Sequence, residues 1–400
     1  MIYTDNEYMT GIRRELHMYP EVDFDLPKTV ALIKRELESM GIEYTEKYGK
    51  GSVVGYINPD KTDFTIGIRA DTDALKIIEQ TGAPYASKHE GKMHACGHDA
   101  HTAMLLGTAK ALKEMEKDLN CRVLLIFQPS EEGLESGAMM MIDNGIIDEI
   151  DIIIAQHVSP GIEAGGVSYK CEYSNASSRH VTIDITGKSA HAASPQTGID
   201  ALAVATRLYT GLNVVLNREV SPSENYICSI NSLVSGTAAN IVPDKALLKG
   251  TIRTFDVGLS ELLFEKIKKI AKGLEVETGA TINVHGPLKS VPLYNNPELC
   301  RMFAKSAEKV VGSENVTERT QKGYGSEDFS RFLYQKPGMI FRLGVGNKAK
   351  NITNALHHSN FDLDESALKI GSSVFVQFVL DNQNGVDIEK IKNSDTRGIF

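Results

Sequence analysis

The run His94-Ala95-Cys96-Gly97-His98-Asp99-Ala100-His101 carries three imidazoles, a thiol and a carboxylate, and Glu131 and Glu132 stand side by side further on. Thiolate, imidazole and carboxylate together bind divalent transition-metal ions, and a carboxylate not used as a ligand can take a proton from water at such a centre. Cys96 and His98 flank a glycine. A loop there can aim both side chains at one point, whereas the same spacing on a helix would splay them. A lone Cys-x-His pair is ordinarily a structural thiol beside a solvated histidine; the density of titratable groups here argues for a site instead. The Glu pair follows an apolar run and Gln128-Pro129-Ser130. Its ordinary fate is a solvated loop. The alternative gives the two acids separate jobs, because neighbours on an extended chain point opposite ways: one ligand, one general base and acid. His157 and the doublet His357-His358 gain weight only as further ligands. The chemistry expected is metal-dependent hydrolysis.

The elements that must position these residues alternate. Helical periodicity runs over 26–40, 103–115, 137–144, 297–311 and 366–380, and apolar strands over 52–57, 64–68, 122–127, 151–155 and 339–343. Several candidate ligands follow such strands, where open α/β sheets place their sites. Residues 180–285 read as strand, helix, two strands, helix, strand, the βαββαβ order of a ferredoxin-like sandwich. The fold class expected is α/β, with a catalytic domain in two parts (1–178 and 290–400) interrupted by a ferredoxin-like domain (179–289). The polar tail after Asn382 reads as peripheral.

The chain has 400 residues, 42% hydrophobic and 24% charged, with net charge −9, more than one ordinary core accommodates. The acidic balance disfavours nucleic acid and anionic membranes as partners. No stretch approaches the roughly 20 apolar residues of a membrane span. Five cysteines, Cys96, Cys121, Cys171, Cys228 and Cys300, are widely spaced with no CxxC pair. That pattern, with an N-terminus unlike a signal peptide, suggests reduced thiols and a cytoplasmic location.

From Leu16-His17-Met18-Tyr19-Pro20-Glu21 to Phe361-Asp362-Leu363-Asp364-Glu365 the chain resembles the dinuclear-metal aminoacylase and carboxypeptidase family. Within it the likeness is to the amidohydrolase branch of hippurate hydrolases, N-acetyl-diaminopimelate deacetylases and auxin-conjugate hydrolases. The resemblance rests on Arg69-Ala70-Asp71-Thr72-Asp73-Ala74-Leu75, residues 93–103, Gln128 to Gly133, Gly187-Lys188-Ser189-Ala190-His191-Ala192-Ala193, residues 235–244, and Gly325-Ser326-Glu327-Asp328-Phe329-Ser330. It implies two divalent ions, zinc foremost with manganese, cobalt or nickel as alternatives. Their ligands would be Cys96, His98, Glu132, His157 and His357, with the thiolate as candidate bridge. His357 matches by its place four residues before Phe361, and His358 is the alternative. Glu131 matches the general base. The ferredoxin-like insert would be a lid and the contact of a homodimer or homotetramer, with His191 and Asn240 stabilising the oxyanion or holding substrate. Arg253 is a candidate for a substrate carboxylate, a surface arginine being the alternative. Asp71, His101 and Glu327 would orient ligands. The branch usually has Met at Thr72 and Pro at Lys76. The expected activity is hydrolysis of the amide bond of small N-acyl amino acids. A dipeptidase, aminopeptidase or carboxypeptidase on the same scaffold, and a non-catalytic metal- or ligand-binding relative, are the competing readings.

Overall fold

Alternation of side chains along extended strands decides how this chain is layered. The computed structural model describes residues 3–398. An eight-stranded sheet contains β1 (Glu43–Thr45), β2 (Val53–Ile57), β3 (Thr65–Asp71), β4 (Arg122–Gln128), β5 (Ile152–Glu163) and β6 (Val167–Tyr169). The strands Val316–Glu318 and Gly338–Gly346 complete it. Across the sheet the order is β1, β2, β4, β3, β5, Gly338–Gly346, β6, Val316–Glu318. The centre is parallel: β3 pairs with β4 and β5, and β5 with Gly338–Gly346. Ile66, Ile68, Val123, Leu125, Ile152, Ile154, Phe341 and Leu343 point into one core. Their alternates Leu124, Ile126, Ile153, Ala155 and Ile340 point into another on the opposite face. Burial on both faces is why these strands read as continuous apolar runs.

Helices α1 (Asn6–Met18), α2 (Pro27–Ser39) and α3 (His98–Glu114) contribute to the larger core. The sequence reading omits α1, although Asp5 caps it by accepting from Glu7 N and Tyr8 N and Met9, Ile12 and Leu16 bury one face. α3 begins at His98 rather than near residue 103. Gly97 at its start has φ +83, and a Cβ there would lie 2.5 Å from Val158 Cγ2, so both backbone and space call for glycine. β5 continues through Ser159-Pro160-Gly161 to Glu163, with an irregular register opposite Gly344 and Gly346. His157 therefore lies inside the strand and not at its end. The tail is not wholly peripheral: Ile388–Asn393 is helical, Ile391 is buried, and Asn296 Nδ2 donates to Ile391 O at 2.8 Å.

The chain divides into two compact units, Met1–Ser174 with Leu293–Lys322 and Asp328–Phe400, and Asn175–Pro292 with Gly323–Glu327. In the second, the strands Ser178–Thr186, Tyr226–Ser235, Lys245–Thr254 and Thr281–His285 form an antiparallel sheet, with Lys245–Thr254 and Ser178–Thr186 central. Helices Ala201–Glu219 and Val257–Thr278 bury Leu208, Leu212, Leu263 and Ile267 with that sheet's Ile183, Leu248 and Ile252. The element order is βαββαβ. Among the described residues no helix is long and apolar enough to cross a membrane.

A buried cation ties the first unit together. Arg13 donates to Asp99 at 2.8 Å, Asp362 at 3.0 Å and Glu365 at 3.1 Å, and His17 Nδ1 lies 2.7 Å from Asp99. Burial alone would raise the Asp99 pKa, but Arg13 and His17 hold it well below the usual carboxylate range. Because the folded pKa is the lower one, this stabilisation is present above an unfolded value near ~4 and is lost as pH falls. Removing the cation leaves buried carboxylate unpaired. Arg13→Met is therefore expected to lower unfolding free energy by about 3–5 kcal/mol at pH 7, and by less at pH 3, in urea titrations. An equal loss at both pH values would contradict the ion-pair account.

Candidate metal centre

One face of the large sheet changes character along its strands. Beyond the apolar Leu124, Ile126, Ile153, Ala155 and Ile340, the same alternation places polar side chains near the carboxyl ends of the parallel strands. Asp71 on β3 sits opposite Gln128 on β4, and His157 on β5 sits opposite Arg342 of Gly338–Gly346. Arg342 is also opposite Ser168 on β6. Asp71, Gln128, His157 and Ser168 are buried. A sheet with such an edge holds its donors on rigid backbone.

Loops bring further groups to this edge. Cys96, His98 and His157 present atoms within 4.8 Å of one another, as do Cys96, Glu132 and His357, and His98, Glu131 and Glu132. Cys96 Sγ is 3.4 Å from His157 Nε2, and Glu132 Oε1 is 3.1 Å from His357 Nε2. Cys96, His98 and Glu132 each belong to two of these groups, the position a shared ligand would need. His357 has φ +64, a conformation uncommon for a side-chain-bearing residue, and its N–H donates to Ala95 O at 2.8 Å. His358 instead accepts from Asn360 N through Nδ1 and belongs to none of the clusters.

The His98 and His157 imidazoles are each oriented through Nδ1. His98 Nδ1 donates to Asp73 O at 2.8 Å and His157 Nδ1 to Val158 O at 2.8 Å, leaving both Nε2 atoms turned to the thiol side. His101 uses both nitrogens, Nδ1 on Asp71 at 2.6 Å and Nε2 accepting from Val158 N at 2.9 Å. Asp71 also accepts from Arg69 at 2.7 Å. The sequence reading gives no role to Asp73, whose buried carboxylate accepts from Glu131 N at 2.9 Å and Glu132 N at 3.0 Å. With Ser130 at φ +52, this clamp turns the chain. Both glutamates consequently reach the same cluster, contrary to the expectation that they point opposite ways.

The electrostatics suit a cation. His98 Nε2 is buried and has no hydrogen-bond partner. Burial disfavours charge on His98, yet Asp71 and the Cys96 thiol raise its pKa well above the ordinary value. Burial and then the Arg342 cation push His157 well below it, so its Nε2 offers a lone pair. Burial would raise the Glu132 pKa, but His357 and His98 lower it. Burial and the Glu132 charge drive the Cys96 thiol up; a bound metal reverses this by favouring thiolate. The donor set fits divalent metal.

A model of the peptidase family M20/M25/M40 matches residues 67–381. The chain belongs to that family. It is 35% identical over 372 residues to the IAA-amino acid hydrolase ILR1-like 4 of Arabidopsis thaliana, covering 92% of this chain and 84% of that protein. It is 35% identical over 373 residues to the N-acetyl-L-cysteine deacetylase of Bacillus subtilis (strain 168), covering 93% and 87%. The crystal structure of the Bacillus subtilis YXEP protein, a dinuclear metal binding peptidase from the M20 family, superimposes with a TM-score of 0.76 at 30% identity, covering 95% and 99%. This M20 chain is thus a hydrolase, and its α/β fold is that of the family.

Other sequence-selected residues lie in the second unit. Ile241 pairs with His191, and Ala192 N donates to Asn240 O at 3.0 Å, so His191 and Asn240 are neighbours and both exposed. His191 Nδ1 accepts from Ala193 N at 3.1 Å, which puts the ring proton on Nε2. Arg253 bonds Ser178 Oγ, and burial lowers its pKa. Glu327 is buried in the short segment that groups with this unit. Asp73→Ala is expected to keep the far-ultraviolet circular dichroism of the wild type and to weaken divalent-metal affinity about 10–100-fold in chelator competition. Unchanged affinity would remove Asp73 from this role.

Proposed function

We propose that this M20 hydrolase cleaves the amide bond of N-acyl amino acids. The observation that carries the reading is the convergence of Cys96, His98, His157, Glu132 and His357 with a sixth donor, Glu131, beside them. Relatives named for hydrolysis of IAA–amino acid conjugates and for N-acetylcysteine deacetylation support the substrate class.

The five residues would hold two divalent ions, with zinc favoured by thiolate and imidazole donors and manganese, cobalt or nickel as alternatives. Such ions, when bound, polarise a carbonyl and acidify water. Glu131 takes the proton of the attacking water and returns it to the departing amine nitrogen. His191 Nε2–H and the Asn240 amide stabilise the oxyanion, and Arg253 receives the α-carboxylate. Asp71 and His101 hold the ligand imidazoles in place, and Glu327 supports the same role.

The second unit serves as lid and subunit contact. In support, its edge strand Tyr226–Ser235 and helix Ala201–Glu219 leave Ile227, Leu233, Val234, Leu202, Tyr209 and Val214 exposed, a pattern suited to a homodimer or homotetramer. The five free thiols fit a reducing, cytoplasmic setting.

Glu131→Gln is expected to retain metal content by elemental analysis while losing about 10²–10⁴-fold in kcat on N-acetyl and N-benzoyl amino acids. Near-wild-type turnover would exclude Glu131 as the base. Dipeptides cleaved faster than every N-acyl amino acid by the wild type would overturn the substrate assignment.

A further inference from the structure

The polar row at the sheet edge does not stop at the metal centre. His157, Arg342, Ser168 and Thr317 are successive register partners on four adjacent strands, so their side chains share one face. The chain continues from Thr317 to Arg319, whose N–H donates to Tyr169 O at 2.7 Å and whose Nη2 donates to Ser174 Oγ at 3.2 Å. Two donors here are buried and lack any hydrogen-bond partner: Arg319 Nε and the hydroxyl of Ser168, a residue only 4% exposed. Burial and then the Arg342 cation lower the Arg319 pKa; the charge that bears on this guanidinium is of its own sign. A half-buried guanidinium and a buried hydroxyl whose donors are unsatisfied, Arg319 and Ser168, are costly unless an acceptor joins them. The cost is met when a carboxylate accepts from the arginine fork and the serine together.

Its place fixes what that carboxylate is. Ser168 lies two strands from His157, a backbone separation of about 10 Å. That is too far for a group adjoining the scissile bond and within reach of one several bonds away. We propose that Arg319, Arg342 and Ser168 form a subsite for a second, remote carboxylate of the substrate, so that the enzyme prefers dicarboxylic N-acyl amino acids. This rests on the function proposed above for the substrate, and on the sheet row alone for the subsite.

The test has two turnover ratios and one binding arm. N-acetyl-L-glutamate is compared with N-acetyl-L-glutamine, and N-succinyl-L-alanine with N-butanoyl-L-alanine, by kcat/KM. At least one ratio is expected to exceed about 20 in the wild type, which tells whether the carboxylate comes from the amine or the acyl side. In Arg319→Met that ratio is expected to fall below about 3, with Arg319→Lys and the milder Ser168→Ala intermediate. Wild-type ratios near one, or a ratio unchanged in Arg319→Met and Ser168→Ala, overturn the subsite. Glutarate and butyrate are also compared as ligands in thermal-shift titrations of the metal-loaded enzyme. Stabilisation by glutarate alone, abolished in folded Arg319→Met or Ser168→Ala, supports the subsite even if no N-acyl amino acid is hydrolysed, a result that would sink only the function. Equal responses to the two acids overturn the subsite whatever the turnover.

Discussion

A single buried carboxylate organises the centre of this hydrolase. Asp73 accepts hydrogen bonds from the backbone N–H groups of both Glu131 and Glu132, while its own carbonyl orients His98. Three side chains of the cluster, carried on loops and a helix start far apart in sequence, are thereby referred to one residue just beyond β3. Without it two buried N–H donors would lose their partner, and the turn that brings both glutamates to the thiol side would have nothing to fix it. Burial raises the Asp73 pKa, yet its bonds to N–H donors favour the ionised form. The group is thus held in a balance that the surrounding charges decide.

Around that clamp the sheet supplies rigidity and α1 supplies reach. His157, Asp71 and Gln128 come from strands whose lower halves are apolar on both faces, so they cannot shift without disturbing two cores. The loop of His357 has no such strand beneath it. Its restraint comes from Ala95 and from Asp362 and Glu365 just beyond, which Arg13 of α1 links to Asp99 beside His98. The N-terminal helix therefore connects the two chain segments that carry His98 and His357. This is the kind of supporting contact that keeps a metal ligand from being loose.

Much of this was legible in the sequence because it depends on local patterns. Apolar runs such as Arg122–Gln128 announce buried strands, and Pro297–Val311 declares itself by Asn296, a proline at its first position and a glycine stop. The donor residues are legible because Cys, His and Glu seldom crowd together without a reason. What was not legible depends on partners distant in sequence. α1 carries a readable cap and apolar face, but its charged residues masked an element whose Arg13 and His17 are buried by Asp99. β5 runs through Pro160 and Gly161, which read locally as a turn, because β5 itself bulges there, its residues between Ser159 and Glu163 outnumbering those between the paired Gly344 and Gly346. Asp73 looks like any other acid until its carboxylate is seen accepting two N–H groups from residues nearly sixty positions away. The orientation of Glu131 against Glu132 follows from that same bond and could not be read from alternation alone.

The most direct measurement is an anomalous difference Fourier map from crystals of the metal-loaded protein. Two peaks per chain are expected, about 3.5–4 Å apart. Cys96 should contact both, with His98, His157, Glu132 and His357 completing the shells and Glu131 directly bound to neither. A single ion, or ions held by a different set of side chains with full hydrolytic activity, would contradict the account.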